Sequence, residues 1–189
     1  MSAPDFDFLV NPSLPSHDTI VALCEAAGDE RTGIPLHDPS SGLIIAWVKY
    51  GPYVAMAEAL TQDYVAKFLV ANSVVDVRVP RVYAAFPTRK RSLWDFGYII
   101  MEYIDAPDCG EEDYRLAAKA VQKLISIKGP NDVPGPIGGG RAVHTFFVEW
   151  TSPINYTTVG ELQQHINGVS VRKSPVRLDD LRPWIDHQT

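Results

Sequence analysis

Apolar positions recur along this chain in two rhythms. Leu43-Ile44-Ile45-Ala46-Trp47-Val48-Lys49-Tyr50 is dense in β-branched and aromatic residues and closes at Gly51-Pro52, which predicts a strand. Asp38-Pro39-Ser40-Ser41-Gly42 ahead of it reads as a turn, so Gly33–His37 is the expected hairpin partner. Residues 81–86 and 97–104 predict two further strands, joined across the polar stretch Thr88–Ser92 as an antiparallel pair. Between the two pairs, Val54, Ala57, Leu60, Tyr64, Val65, Phe68 and Leu69 fall at three- and four-residue steps. That spacing predicts a helix opening at Pro52 and running to about Val70.

Three more helices are expected. One is capped by Asp18 and stopped at Gly28, one spans residues 114–127 and ends before Gly129-Pro130, and one covers residues 159–167. Strands, a helix, a strand hairpin and another helix, in that order, predict an α+β fold. Its centre is an antiparallel sheet with an inserted helix, followed by helices and a long Gly/Pro loop at residues 131–141. Prolines and glycines divide the chain into a flexible arm (1–16), a main lobe with a linker helix (17–128), and a loop, helix and tail (129–189) expected to be the start of a second, truncated lobe.

Composition narrows the function classes. A chain of 189 residues with 46% hydrophobic and 21% charged residues can bury a core without metal or disulfide staples. The net charge of −6 argues against a nucleic-acid partner. No apolar run approaches the ~18–20 residues of a membrane helix, so no membrane association is expected. Met1–Asp7 holds two acids and no base, unlike the opening of a signal peptide. Cys24 and Cys109 cannot build a disulfide framework, which points to a reducing, cytoplasmic setting.

The chemistry centres on Lys49, at the end of the strongest strand, and Glu58, nine positions on in the following helix. In kinases a strand lysine holds the α- and β-phosphates of the nucleotide, and a glutamate on the next helix fixes where its ammonium points. Taken by residue type alone, a surface lysine and a solvated helix charge are the favoured reading of the pair.

Around this pair the sequence resembles the aminoglycoside-phosphotransferase-like kinases of filamentous fungi. The resemblance runs through Trp47-Val48-Lys49-Tyr50-Gly51, Ala57-Glu58-Ala59, Val79-Pro80-Arg81-Val82-Tyr83 and Tyr98–Ile104. It continues through Pro134–Gly140 and Val159–Asn167, covering about residues 43–168 in the family's order. The resemblance implies a kinase-like small lobe. Lys49 matches the phosphate-binding lysine and Glu58 its partner. Glu102, Tyr103 and Ile104 match the hinge whose backbone holds adenine, and Met101 and Ile100 would lie under the base. ATP with Mg²⁺ is the implied ligand.

The catalytic half of that pattern is missing from these residues. No His-x-Asp opens a catalytic loop, and the chain ends about where the family's loop is expected to begin. Asp95-Phe96-Gly97 precedes the hinge strand, so it is expected to be a turn entering a strand rather than a magnesium site. Three roles stay open: a nucleotide-binding pseudokinase or interaction module, a phosphotransferase completed by a partner chain or longer gene product, and a homo-oligomeric scaffold. In the last, Phe146, Phe147, Trp150 and Trp184 would supply a cover or a dimer seam, and any of the three roles admits a homo-oligomer or protein partner.

Weaker signals are read as structural. Gly33 and Gly42 bracket a hairpin whose Ser40 and Ser41 tip either covers phosphates or is plain surface. Gly135–Ala142 nearly spells a Walker loop, but Arg141 and Ala142 stand where Lys and Ser/Thr are needed, so a connecting loop is expected. His144, Glu149 and Glu161 are read as polar residues rather than an acid/base set, and the five histidines show no metal spacing. Arg89-Lys90-Arg91 is a solvated tip, and Trp47, Trp94, Trp150 and Trp184 are core or interface anchors.

Overall fold

A computed structural model describes residues 7–88, 96–147 and 150–173. The elements in order are α1 (His17–Ala27), β1 (Gly33–His37), β2 (Ile44–Gly51), α2 (Met56–Ala71), β3 (Val82–Thr88), β4 (Phe96–Met101), a 3-10 turn (Glu111–Asp113), α3 (Tyr114–Ile125) and α4 (Val159–Lys173). The fold is α+β, and the chain divides into two compact units, Met1–Lys128 and Gly129–Thr189.

In the first unit all four strands are antiparallel and lie in the order β1-β2-β4-β3. Strand side chains alternate between faces. Ala46, Val48 and Tyr50 of β2 and Phe96, Tyr98 and Ile100 of β4 form one core with Ile20, Val21 and Cys24 of α1. The opposite face carries Ile99 and Met101, which pack with Ala59 of α2. β4 is buried at every position because a helix layer covers both of its faces, which explains its unbroken apolar run.

Boundaries differ from the sequence reading where capping decides them. Ser16, not Asp18, caps α1: its Oγ accepts from the Thr19 amide at 3.3 Å, and Asp18 falls in the first turn. α2 begins at Met56 rather than Pro52, because residues 51–55 first cross the start of β4. There a Cβ on Gly97 would lie 1.9 Å from the Val54 carbonyl oxygen. β4 ends at Met101, three residues early, where the Glu102 amide turns to the Arg81 carbonyl at 2.8 Å.

The described part of the expected flexible arm is tied down. The Leu9 amide donates to the Val82 carbonyl at 3.2 Å, and Asn11 Nδ2 donates to the Ile45 carbonyl at 3.3 Å. Leu14 packs against the α1-side core.

The second unit is held by its own contacts. Ser152 is fully buried; its Oγ accepts from the Ala142 amide at 3.0 Å and donates to the Ile154 carbonyl at 2.8 Å. Phe147, Tyr156 and His165 form an aromatic cluster, with Tyr156 Oη 3.0 Å from His165 Nδ1. Among the described residues no helix is long and apolar enough to cross a membrane.

Candidate functional site

Lys49 stands one residue beyond Val48 on β2, so its side chain leaves the sheet on the α2 face. Glu58 occupies the first turn of α2, where the helix dipole favours a carboxylate. The geometry joins them: Lys49 Nζ donates to Glu58 Oε1 in an ion pair. Their side chains remain 40% and 38% exposed. At that exposure an ion pair contributes roughly 0.2–1 kcal/mol. The pair therefore does little for stability; its effect is to aim an ammonium across a half-open surface.

Trp47, two residues back, shares the face of Lys49 and pairs in register with Met101. Its ring lies 6.4 Å from that of Tyr103, inclined by 26°. A Cβ on Gly33 would sit 2.6 Å from the indole Nε1, so the absence of a side chain there is what lets the indole lie against β1. Met101 is buried, with Gln62 Nε2 3.4 Å from its sulfur; the same Nε2 donates to the Pro80 carbonyl at 2.8 Å. Lys49, Glu58, Trp47, Met101 and Tyr103 thus share one side of the sheet. Ile100 does not: strand alternation turns it into the α1-side core, away from Lys49.

Glu102 has a structural role that the sequence reading missed. Its carboxylate accepts from Arg78 Nη2 at 2.5 Å and from the Arg81 amide at 3.4 Å, clipping the approach to β3 onto the end of β4. Burial raises the Tyr83 phenol above its ordinary range, and the Glu102 charge adds to that rise. The Glu102 amide is spent on the Arg81 carbonyl, and Tyr103 and Ile104 follow it beyond the end of β4. Those two residues are half-buried and enter no backbone hydrogen bond among the described residues.

Register decides the fate of the serine hairpin. Lys49 pairs with Gly33, whereas the turn at residues 38–43 joins the other ends of the strands. Five residue steps along β2 separate Lys49 from Ile44, roughly 17 Å. Ser40 and Ser41 therefore do not cover the Lys49 site. They bind Asp38 instead, whose carboxylate accepts from the Ser40 hydroxyl and both serine amides and titrates below its ordinary value.

The other candidates resolve locally. Phe96 fills the core and Gly97 makes the close approach to Val54; Asp95 lies outside the described residues. The Walker-like segment is a loop with Gly135, Gly138, Gly139 and Gly140 at positive φ, beside a cavity of about 290 Å³ that Asn155 and Tyr156 close. Its end is tied to Ser152 through the Ala142 amide.

His144 Nδ1 accepts from the Phe146 amide at 3.0 Å. Glu161 accepts from the Thr157 amide at 2.7 Å as a cap of α4, which lowers its pKa. These are turn and cap contacts. Arg89-Lys90-Arg91, Trp94, Glu149 and Trp184 lie outside the described residues. Phe147 is buried within its own unit, whereas Trp150 is exposed. Among the described residues no group of three or more His, Cys, Asp or Glu side chains is placed to hold a metal.

No protein-family model matches the chain, and no curated protein or solved structure matches it either.

Gln62 and Arg78 are neighbours the sequence reading left unassigned, and Trp47 is one it read only as a core or interface anchor. Only for Trp47 was a signal present: the two-residue strand period puts it on the face of Lys49. Gln62 and Arg78 reach Met101 and Glu102 through tertiary packing.

Proposed function

We propose that the first unit is a nucleotide-binding lobe of the aminoglycoside-phosphotransferase-like, kinase-like kind, working as a binding or interaction module. The observation that carries this reading is the Lys49–Glu58 pair: a strand lysine, directed by a glutamate of the next helix, beside Trp47, Met101 and Tyr103. A steered ammonium suits the oxygens of a polyphosphate, and the two half-buried rings suit a planar base. Mg²⁺ would supply charge neutralisation of the phosphates. These 189 residues contain no His-x-Asp catalytic loop, so phosphoryl transfer would need a catalytic Asp and Asn from a partner chain or a longer gene product.

Thermal unfolding with ATP and Mg²⁺ tests the reading. At ten times Kd a ligand that binds only the folded state stabilises it by about 1.4 kcal/mol, or roughly 3–6 °C. Lys49→Ala should abolish that rise while leaving the unliganded midpoint within about 1 kcal/mol of wild type. No rise at millimolar ATP rejects the nucleotide role and leaves the interaction role.

One observation favours the interaction role in its own right. α3 buries none of its residues, and Tyr114, Val121 and Ile125 stand exposed along one side of it. A partner protein or a second copy would cover it, and light scattering of the wild type against Val121→Asp distinguishes association from a monomer.

A further inference from the structure

The helix that carries Glu58 has a thin seat on the sheet. Only Ala59, Ala66 and Leu69 of α2 are buried, and two of those are alanines. Residues 7–10 bridge what the helix itself does not reach. Asp7 is bound through its carbonyl to Lys67 Nζ at 2.5 Å, and Lys67 also pairs with Asp63 at 2.9 Å one turn back on α2. Phe8 packs into the cluster of Ala59, Val82, Ile99 and Met101, which is the junction of α2 with the sheet. Leu9 then donates its amide to Val82 on the outer edge of β3. Beside this bridge runs an open groove of about 500 Å³, lined by Leu9, Val10, Ala66, Val70, Lys67 and Arg81. The bridge is therefore a strap laid over the junction, with solvent along one side, and not a strand enclosed by other elements.

We propose that residues 7–10 are a strap that seats α2 against the sheet, with Phe8 and Lys67 as positioning residues for the Glu58 carboxylate opposite Lys49. Phe8 packs against the cluster that contains Ala59, the neighbour of Glu58, so loss of the ring loosens the first half of α2. Loss of the Lys67 ammonium frees Asp7 and weakens the same attachment from the other end. The arrangement allows the Lys49–Glu58 pair to be opened from a distance without disturbing α1 or the β1–β2 hairpin.

Amide hydrogen exchange on the full chain without nucleotide tests this independently of the nucleotide reading. In Phe8→Ala, amides of residues 56–71 should exchange about tenfold faster, and in Lys67→Ala, whose contacts are exposed, about two- to fivefold faster, with those of α1 unchanged in both. Phe8→Leu should restore most of the protection, and the ammonium resonance of Lys49 should broaden in Phe8→Ala and sharpen again in Phe8→Leu. Unchanged exchange in α2 overturns the proposal. So does an equal rise in α1 and α2, which would make the strap an ordinary part of a single cooperative core. Should Phe8→Ala fail to fold, Lys67→Ala alone decides between these outcomes.

Discussion

Gly97→Ala tests the packing that places α2. The new Cβ would stand 1.9 Å from the Val54 carbonyl oxygen and 2.7 Å from its carbonyl carbon. Carbon and oxygen need roughly 3.3 Å, so residues 51–55 must retreat by about 1.4 Å. The obstacle is backbone, which cannot rotate aside, and Val54 is itself packed against the α2-side core. Overpacking of this kind costs about 1–3 kcal/mol, toward the upper end when backbone must move. Against this stands a gain of about 0.5–1 kcal/mol from replacing a strand glycine. The net expectation is a loss of about 2 kcal/mol. With a urea m-value of about 2 kcal/mol/M, the midpoint followed by far-ultraviolet circular dichroism falls by about 1 M at unchanged m. Gly33→Ala is the matched control: its Cβ meets the Trp47 indole at 2.6 Å, a side chain that can swing away. It should cost under about 1 kcal/mol while shifting tryptophan emission. If Gly97→Ala unfolds within about 0.5 kcal/mol of wild type, the crossing of residues 51–55 over β4 is wrong, and with it the route by which α2 reaches Lys49.

Ser16→Ala removes the side-chain cap of α1 and should lower stability by about 1 kcal/mol, read from the same urea midpoints. Glu102→Gln withdraws a negative charge from Tyr83, so the phenol, raised by burial and by that charge, should ionise at lower pH in an ultraviolet titration. Glu161 has a lowered pKa through its bond to the Thr157 amide, so its capping is fully present above the ordinary glutamate pKa and is lost as pH falls through the folded value. Amides at the start of α4 should therefore gain exchange only in acid, and Glu161→Gln should flatten that dependence.

Much of the first unit could be read from the sequence because its signals are local. β1 and β2 are fixed by a β-branched run and a turn, and the hairpin of β3 and β4 by two apolar segments around a polar one. Lys49 and Glu58 were legible because a strand end and the next helix opening bring them together almost regardless of detail. Helix limits were less legible, since Ser16 and Asp18 are both capping residues and only tertiary position chooses between them. Face assignment was the main loss. Ile100 and Met101 are adjacent in sequence and similar in chemistry, yet the alternation puts one against α1 and the other beside Gln62. The serine hairpin stayed open between two roles for the same kind of reason: turn chemistry was clear, but which end of the strand it joins relative to Lys49 depends on register.

The strand order leaves β1 and β3 at the two rims of the sheet. Pro35 interrupts the donors of the first rim, Pro87 does the same on the second, and the Val82 carbonyl there is already taken by Leu9. Ribbon growth by adding a foreign strand, the usual route from a marginal β-protein to fibres, is thus obstructed along both borders.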